Sequence, residues 1–154
     1  MSAFRALILA IDLAAAQRDQ ALKQLQATHK AQAFAQGQMD QLQQYANETD
    51  QRWMQSAQRS TTPELLHHQY QFMGRLSQAI TLQSDALANS ARRVELAQQA
   101  LVQAELRLAA LKQVHKQREL AHQALMQRRD QKQMDEFAAQ LTQRHVKANL
   151  ENQI

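Results

Sequence analysis

The chain of 154 residues carries 6 histidines, 14 carboxylates and no cysteine, so any metal site in it would be built from imidazoles and carboxylates. Glu64-x-x-His67 and Glu119-x-x-His122 both set a carboxylate and an imidazole on one helical face. Di-iron four-helix bundles use that pairing, but they need two such motifs to converge with further inward carboxylates. Here the two motifs share one uninterrupted helical pattern and lie roughly 83 Å apart at 1.5 Å per residue. They cannot meet on one metal. His115, Glu119 and His122 also share a face, where a solvated or ion-paired state is expected ahead of a weak metal site. His67-His68, beside the single proline, reads the same way. The chain has no nucleophile–base–orienter set and no glycine-rich phosphate loop. We therefore expect no catalytic residue, no cofactor, no metal and no small-molecule substrate.

Nucleic acid is an equally poor fit. The net charge is +4, and residues 112–154 hold 8 basic and 5 acidic side chains, so most of the excess sits there. Arg92-Arg93 and Arg128-Arg129 are short basic pairs with Glu95 and Asp130 beside them. A phosphate-binding stripe needs denser positive charge, and a single-strand platform needs more aromatics. What remains is surface for protein partners, carried on whatever elements the chain builds.

Those elements are helices. Two glycines and one proline are too few for sheets and their turns, and the chain is rich in glutamine, alanine and leucine. The chain reads as all-α: a single domain spanning 1–154, with a helix over 3–59, a bend at 60–63 and a second helix over 64–148. Met73, Ile80, Leu87, Val94, Leu101 and Leu108 recur every seventh residue. Leu76, Gln83, Ser90, Ala97, Ala104 and Leu111 follow each of them by three. A seam of period 3.5 means a helix wound around another helix, and small residues at the second position let the backbones approach.

The first helix begins in the most apolar run, Phe4 to Ala16. Its uninterrupted part, Ala6–Ile11, is shorter than a signal-peptide core, and Asp12 ends it, so it reads as a helix start. It is also too short to span a membrane. Phe4, Ile8, Ile11, Ala15, Leu22 and Leu25 form the expected stripe, continued by Met39, Ala46 and Trp53. Ala35, Leu42, Thr49 and Ser56 take over on the other flank. That change implies a phase slip at Gln32–Gln38, where Gly37 weakens the helix by about 1 kcal/mol relative to Ala.

Ser60-Thr61-Thr62-Pro63-Glu64 is the one break. Pro63 cannot sit inside a helix but suits a first helical position, with Thr61 or Thr62 as cap and Glu64 near the positive end of the helix dipole. Two helices joined by a short link pack antiparallel. With the reversal at about residue 61, Phe4 faces about Arg118 and Tyr45 lies level with about Ser77. After Leu111 the seam positions become His115, Arg118, His122, Leu125, Arg129 and Lys132. The apolar stripe thus ends where the first helix runs out, leaving an overhanging, charged C-terminal helix. The fold expected is an antiparallel two-helix coiled-coil hairpin.

Two surfaces stand out on that hairpin. Leu42, Tyr45, Trp53, Tyr70, Phe72, Met73 and Leu76 gather near the bend, with Tyr45 and Phe72 flanking the seam and partly exposed. In the overhang, Arg128, Arg129, Lys132, Asp135, Glu136 and Phe137 put one aromatic among charges, a helix suited to a groove or ring.

The chain resembles the family of the flagellar export protein FliJ, a component of the type III secretion apparatus. The likeness runs through Leu7 and Leu13, Gln44-Tyr45, Tyr70-Gln71-Phe72-Met73-x-x-Leu76 with Ile80 and Gln83, and Leu108-x-x-Leu111. It ends in Gln131-Lys132-Gln133-Met134-Asp135-Glu136-Phe137-Ala138. The resemblance implies a cytoplasmic stalk, peripheral to the inner membrane at the flagellar base, that inserts into the hexameric export ATPase and contacts the export gate. It further implies a part in motility and, in some members, the recycling of export chaperones. By that analogy residues 1–20 and 118–148, with Arg118, Arg128, Arg129, Lys132, Asp135, Glu136 and Phe137, meet the ATPase. Gln38, Leu42, Tyr45, Phe72, Leu76, Ala79 and Gln83 meet the cytoplasmic part of the gate. A virulence-type secretion stalk has the same outline. A coiled-coil scaffold or a basic nucleic-acid-binding rod is the reading from another class.

Overall fold

The computed structural model describes residues 2–153, and among them there are two helices and no strand. Helix α1 runs Ser2–Arg59 and helix α2 runs Pro63–Asn152. They pack against each other as an all-α hairpin. The start of α2 is set by three side chains. Thr62 Oγ1 accepts the main-chain N–H of Leu65 at 3.2 Å, and the Thr62 carbonyl accepts that of Leu66 at 3.0 Å. Thr62 is therefore the N-cap, Pro63 the first helical residue, where its missing N–H costs nothing, and Glu64 lies in the first turn. Arg59 ends α1 with a positive charge against the helix dipole.

The chain divides into two compact units, Met1–Asp12 with Leu108–Ile154 and, separately, Leu13–Arg107. In the larger unit α2 presents Met73, Leu76, Ile80, Gln83, Leu87, Ser90, Val94, Ala97, Leu101 and Ala104 inward, every one of them buried or half-buried. The heptad expected for α2 is the observed one.

On α1 the observed seam includes the expected Ala35, Met39, Leu42, Ala46, Thr49 and Trp53 but differs from the expected stripe before them and at Ser56, which is exposed. Ala14, Ala21, Thr28, Ala35, Leu42 and Thr49 are covered, together with Arg18, Leu25, Gln32, Met39, Ala46 and Trp53. This heptad holds its phase throughout, so there is no slip at Gln32–Gln38. Gly37 lies on the exposed side with α1 continuous through it. Leu22, placed in the stripe by its size, is exposed, and Ala21 takes the inward position. The physical reason is close approach: small side chains sit where the backbones come nearest, and larger ones cover the rim. Thr28 pairs its hydroxyl locally, donating to the Leu25 carbonyl at 2.8 Å, so it enters the seam without an unmet polar group.

In the smaller unit Leu7 and Leu108 are buried, with Ala10, Ile11, Leu111 and His115 half-buried. Phe4 and Ile8, also placed in the expected stripe, are exposed at the rim, and Leu7 takes the inward position. The Phe4 ring stacks at a tilt on His115, with centroids 5.2 Å apart. Its partner is thus about one turn earlier than Arg118. In the larger unit Tyr45 likewise meets Phe72, not the level of Ser77. The reversal falls ahead of Pro63, because Thr62 and Pro63 already belong to the start of α2. From Lys116 to Gln153 every residue is exposed.

Candidate partner-binding surfaces

Tyr45 and Phe72 form a pair across the hairpin, with ring centroids 6.2 Å apart and planes at 78°, edge to face. Tyr45 is 50% exposed and Phe72 36%, so the pair covers the flank of the seam while leaving aromatic surface open to solvent. Beside Tyr45 an open groove is lined by Gln38, Gln41, Leu42, Tyr45 and Gln83. Of the seven residues singled out here, Gln38, Tyr45 and Phe72 give most of the surface, whereas Leu42, Ala79 and Gln83 are half-buried. Leu76 is only 8% exposed and belongs to the seam beneath. Gln83 reaches across the seam, its Nε2 donating to the Ala35 carbonyl at 2.8 Å and to Gln38 Oε1 at 3.2 Å.

Nearer the link, Asp50, Trp53, Pro63, Leu66, His67, Gln69, Tyr70 and Met73 line a second shallow groove, with Tyr70 80% exposed. Trp53, Tyr70 and Met73 were legible as an aromatic and apolar group. Leu66 and Pro63 join them because the first turn of α2 folds back beside Trp53.

Over residues 128–141 the exposed C-terminal part of α2 has two unlike sides. Met134, Phe137, Ala138 and Leu141 recur at the spacing of one helical face and, with Asp130 and Gln133, line a continuous apolar groove. Phe137 is 64% exposed, and Met134 and Leu141 are exposed too. At about 100° per residue, Arg118, Arg128, Arg129, Lys132, Asp135 and Glu136 all fall on the other side of the helix. Of the residues the sequence singled out here, Phe137 alone lies on the apolar side. Met134, Ala138 and Leu141 were missed, although their spacing of three and four residues was there to be read. Gln131 Nε2 donates to Asp135 Oδ1 at 3.1 Å, ordering one carboxylate on the charged side.

Of the histidines, His115 is held by its neighbours, whereas His29, His67, His68, His122 and His145 are exposed. His115 Nε2 lies 3.7 Å from Glu119 Oε1, and its ring is covered by Phe4. Among the described residues no group of three or more histidine and carboxylate side chains is arranged to hold a metal. No helix among them is long and apolar enough to cross a membrane.

A family model described as "Flagellar FliJ protein" matches residues 4–147. The chain belongs to the flagellar FliJ family. No curated protein and no solved structure matches it. The FliJ match takes in nearly all of α1 and α2, and with them the Tyr45–Phe72 pair and the apolar stripe at Met134–Leu141. Membership makes the chain a component of the flagellar protein-export apparatus, in a family of non-catalytic structural or adaptor components.

Proposed function

We propose that this FliJ-family chain is the stalk that joins the hexameric export ATPase to the export gate and couples ATP hydrolysis to protein export. The observation that carries the reading is the local apolar stripe Met134, Phe137, Ala138 and Leu141, which lies in the exposed stretch 116–153 with charged side chains behind it and has no partner within the chain among the described residues. An apolar stripe with a charged back suits insertion into a ring whose lining is apolar on one side and polar on the other. Met134, Phe137 and Leu141 make the apolar contact. Arg118, Arg128, Arg129, Lys132, Asp135 and Glu136 set its orientation through charge.

The Tyr45–Phe72 edge and the groove at Gln38, Leu42 and Gln83 receive the cytoplasmic part of the gate protein, with Leu76 and Ala79 supporting them from below. The chain acts in the cytoplasm at the inner-membrane base of the flagellum. The test is removal of residues 120–154. Wild-type chain, added below stoichiometry to purified export ATPase, raises its turnover. The truncated chain keeps its hairpin, by circular dichroism, and loses both binding and stimulation. Binding retained by the truncated chain would refute the assignment of the C-terminal helix. Stimulation absent even with the full chain would leave a passive scaffold.

A further inference from the structure

Coiled-coil pairs usually take their setting from opposite charges flanking the seam. This hairpin has none of that kind among the described residues. Its two ion pairs, Arg18–Asp19 and Arg52–Glu48, and the His115–Glu119 contact each join residues of the same helix. The side-chain hydrogen bonds that do cross come from a single nitrogen, Gln83 Nε2, and they end on Ala35 O and Gln38 Oε1 of α1. Gln83 occupies a heptad position between Leu76 and Ser90, where an apolar residue would give more burial energy. Apolar contact is non-directional, so a seam of Ala35, Met39, Leu76 and Ile80 resists separation better than rotation or sliding. A hydrogen bond of 2.8 Å tolerates only a small displacement before it is lost. Both amide protons of Gln83 are spent on acceptors about one turn apart, which fixes how α1 is rolled at that level.

We propose that Gln83 is a positioning residue: its amide sets the roll of α1 against α2 and thereby holds Gln38, Leu42 and Tyr45 as one wall of the partner groove. The partner of that groove rests on the reading given under Proposed function, but the setting of α1 does not. In this arrangement Gln83 serves the groove chiefly from within the hairpin, and Gln38, whose oxygen it holds, is exposed. One polar residue in an apolar seam gives up stability and gains a defined arrangement, and replacing it by an apolar residue reverses that exchange.

The experiment is Gln83→Leu in the full chain. The chain has no cysteine, so Gln43→Cys and Gln78→Cys, both at exposed positions of the larger unit, carry a spin-label pair that reports the setting of the helices. With Gln83 the distance distribution is narrow. In Gln83→Leu it broadens or splits, while the thermal midpoint stays level or rises. Gln83→Ala broadens it as well, with a lowered midpoint. An unchanged, narrow distribution in Gln83→Leu overturns the proposal, and so does broadening that appears only where the midpoint falls. A separate arm measures affinity of the unlabelled variants for the purified cytoplasmic part of the gate protein, where the loss expected for Gln83→Leu is about tenfold. A broadened distribution with full affinity would sustain the role of Gln83 and remove the gate from this groove.

Discussion

Leu76 and Phe72 lie one helical turn apart on α2, yet truncating them should have quite different consequences. Leu76 is 8% exposed, inside the seam, whereas Phe72 is 36% exposed and meets Tyr45 edge to face. Leu→Ala in a protein core costs about 2–5 kcal/mol, through lost transfer energy and the cavity left behind. A two-stranded seam has water on both flanks, so the cavity can collapse or fill, and the lower end applies: about 2–3 kcal/mol. Phe72→Ala loses the aromatic pair, worth about 0.5–1.5 kcal/mol, and some partial burial, so it should cost less than Leu76→Ala. Urea unfolding followed by far-ultraviolet circular dichroism measures both, and an unchanged slope shows that the denatured state is not the cause. The reasoning fails if Leu76→Ala costs no more than Phe72→Ala, for the leucine would then be surface. The result also decides how gate binding is tested. Phe72→Ala alone perturbs the contact surface with little loss of fold, while the double variant mixes recognition with stability in two neighbouring, coupled residues.

The other predictions concern the helices themselves. A Cβ added at Gly37 or Gly74 meets nothing within 4 Å, so Gly37→Ala and Gly74→Ala should each raise stability, by about 1 kcal/mol, in the same unfolding assay. Thr62→Ala removes the acceptor of the Leu65 N–H and should cost about 1 kcal/mol, whereas Thr61→Ala should cost almost nothing. Every side chain from Leu120 to Gln153 is exposed, so on removal of residues 120–154 the midpoint of the remaining hairpin should hardly move while ATPase binding is lost.

The heptad of α2 was legible because large residues such as Met73, Ile80, Val94 and Leu108 occupy one of its two seam positions throughout. That of α1 was not. In its first half large size drew the eye to Phe4, Ile8 and Leu22, whereas the inward positions are held by Leu7, Ala14 and Ala21. Alanine is common all along the chain and gives no contrast by hydropathy, so its role in letting two backbones approach is invisible until the partner is in place. The cap at Thr62 could be narrowed to two threonines, because Pro63 marks the first helical turn without saying which hydroxyl before it turns back to cap that turn. Among the surfaces, Phe137 stood out as an aromatic among charges, and its stripe needed only the helical period. The crossing bond of Gln83 could not be foreseen. In a chain so rich in glutamine, which amide reaches across depends on the roll of α1, and that is a tertiary property.

Outside the seam, glutamine serves α1 and α2 in another way. Gln36 donates to Asp40, Gln44 to Glu48 and Gln131 to Asp135, each a neutral amide tied to a carboxylate one turn on. Where a lysine or arginine in that place would leave the pair at the mercy of dissolved ions, an uncharged donor leaves little for them to screen. These three pairs should therefore respond less to added salt than a lysine–carboxylate pair at the same spacing would.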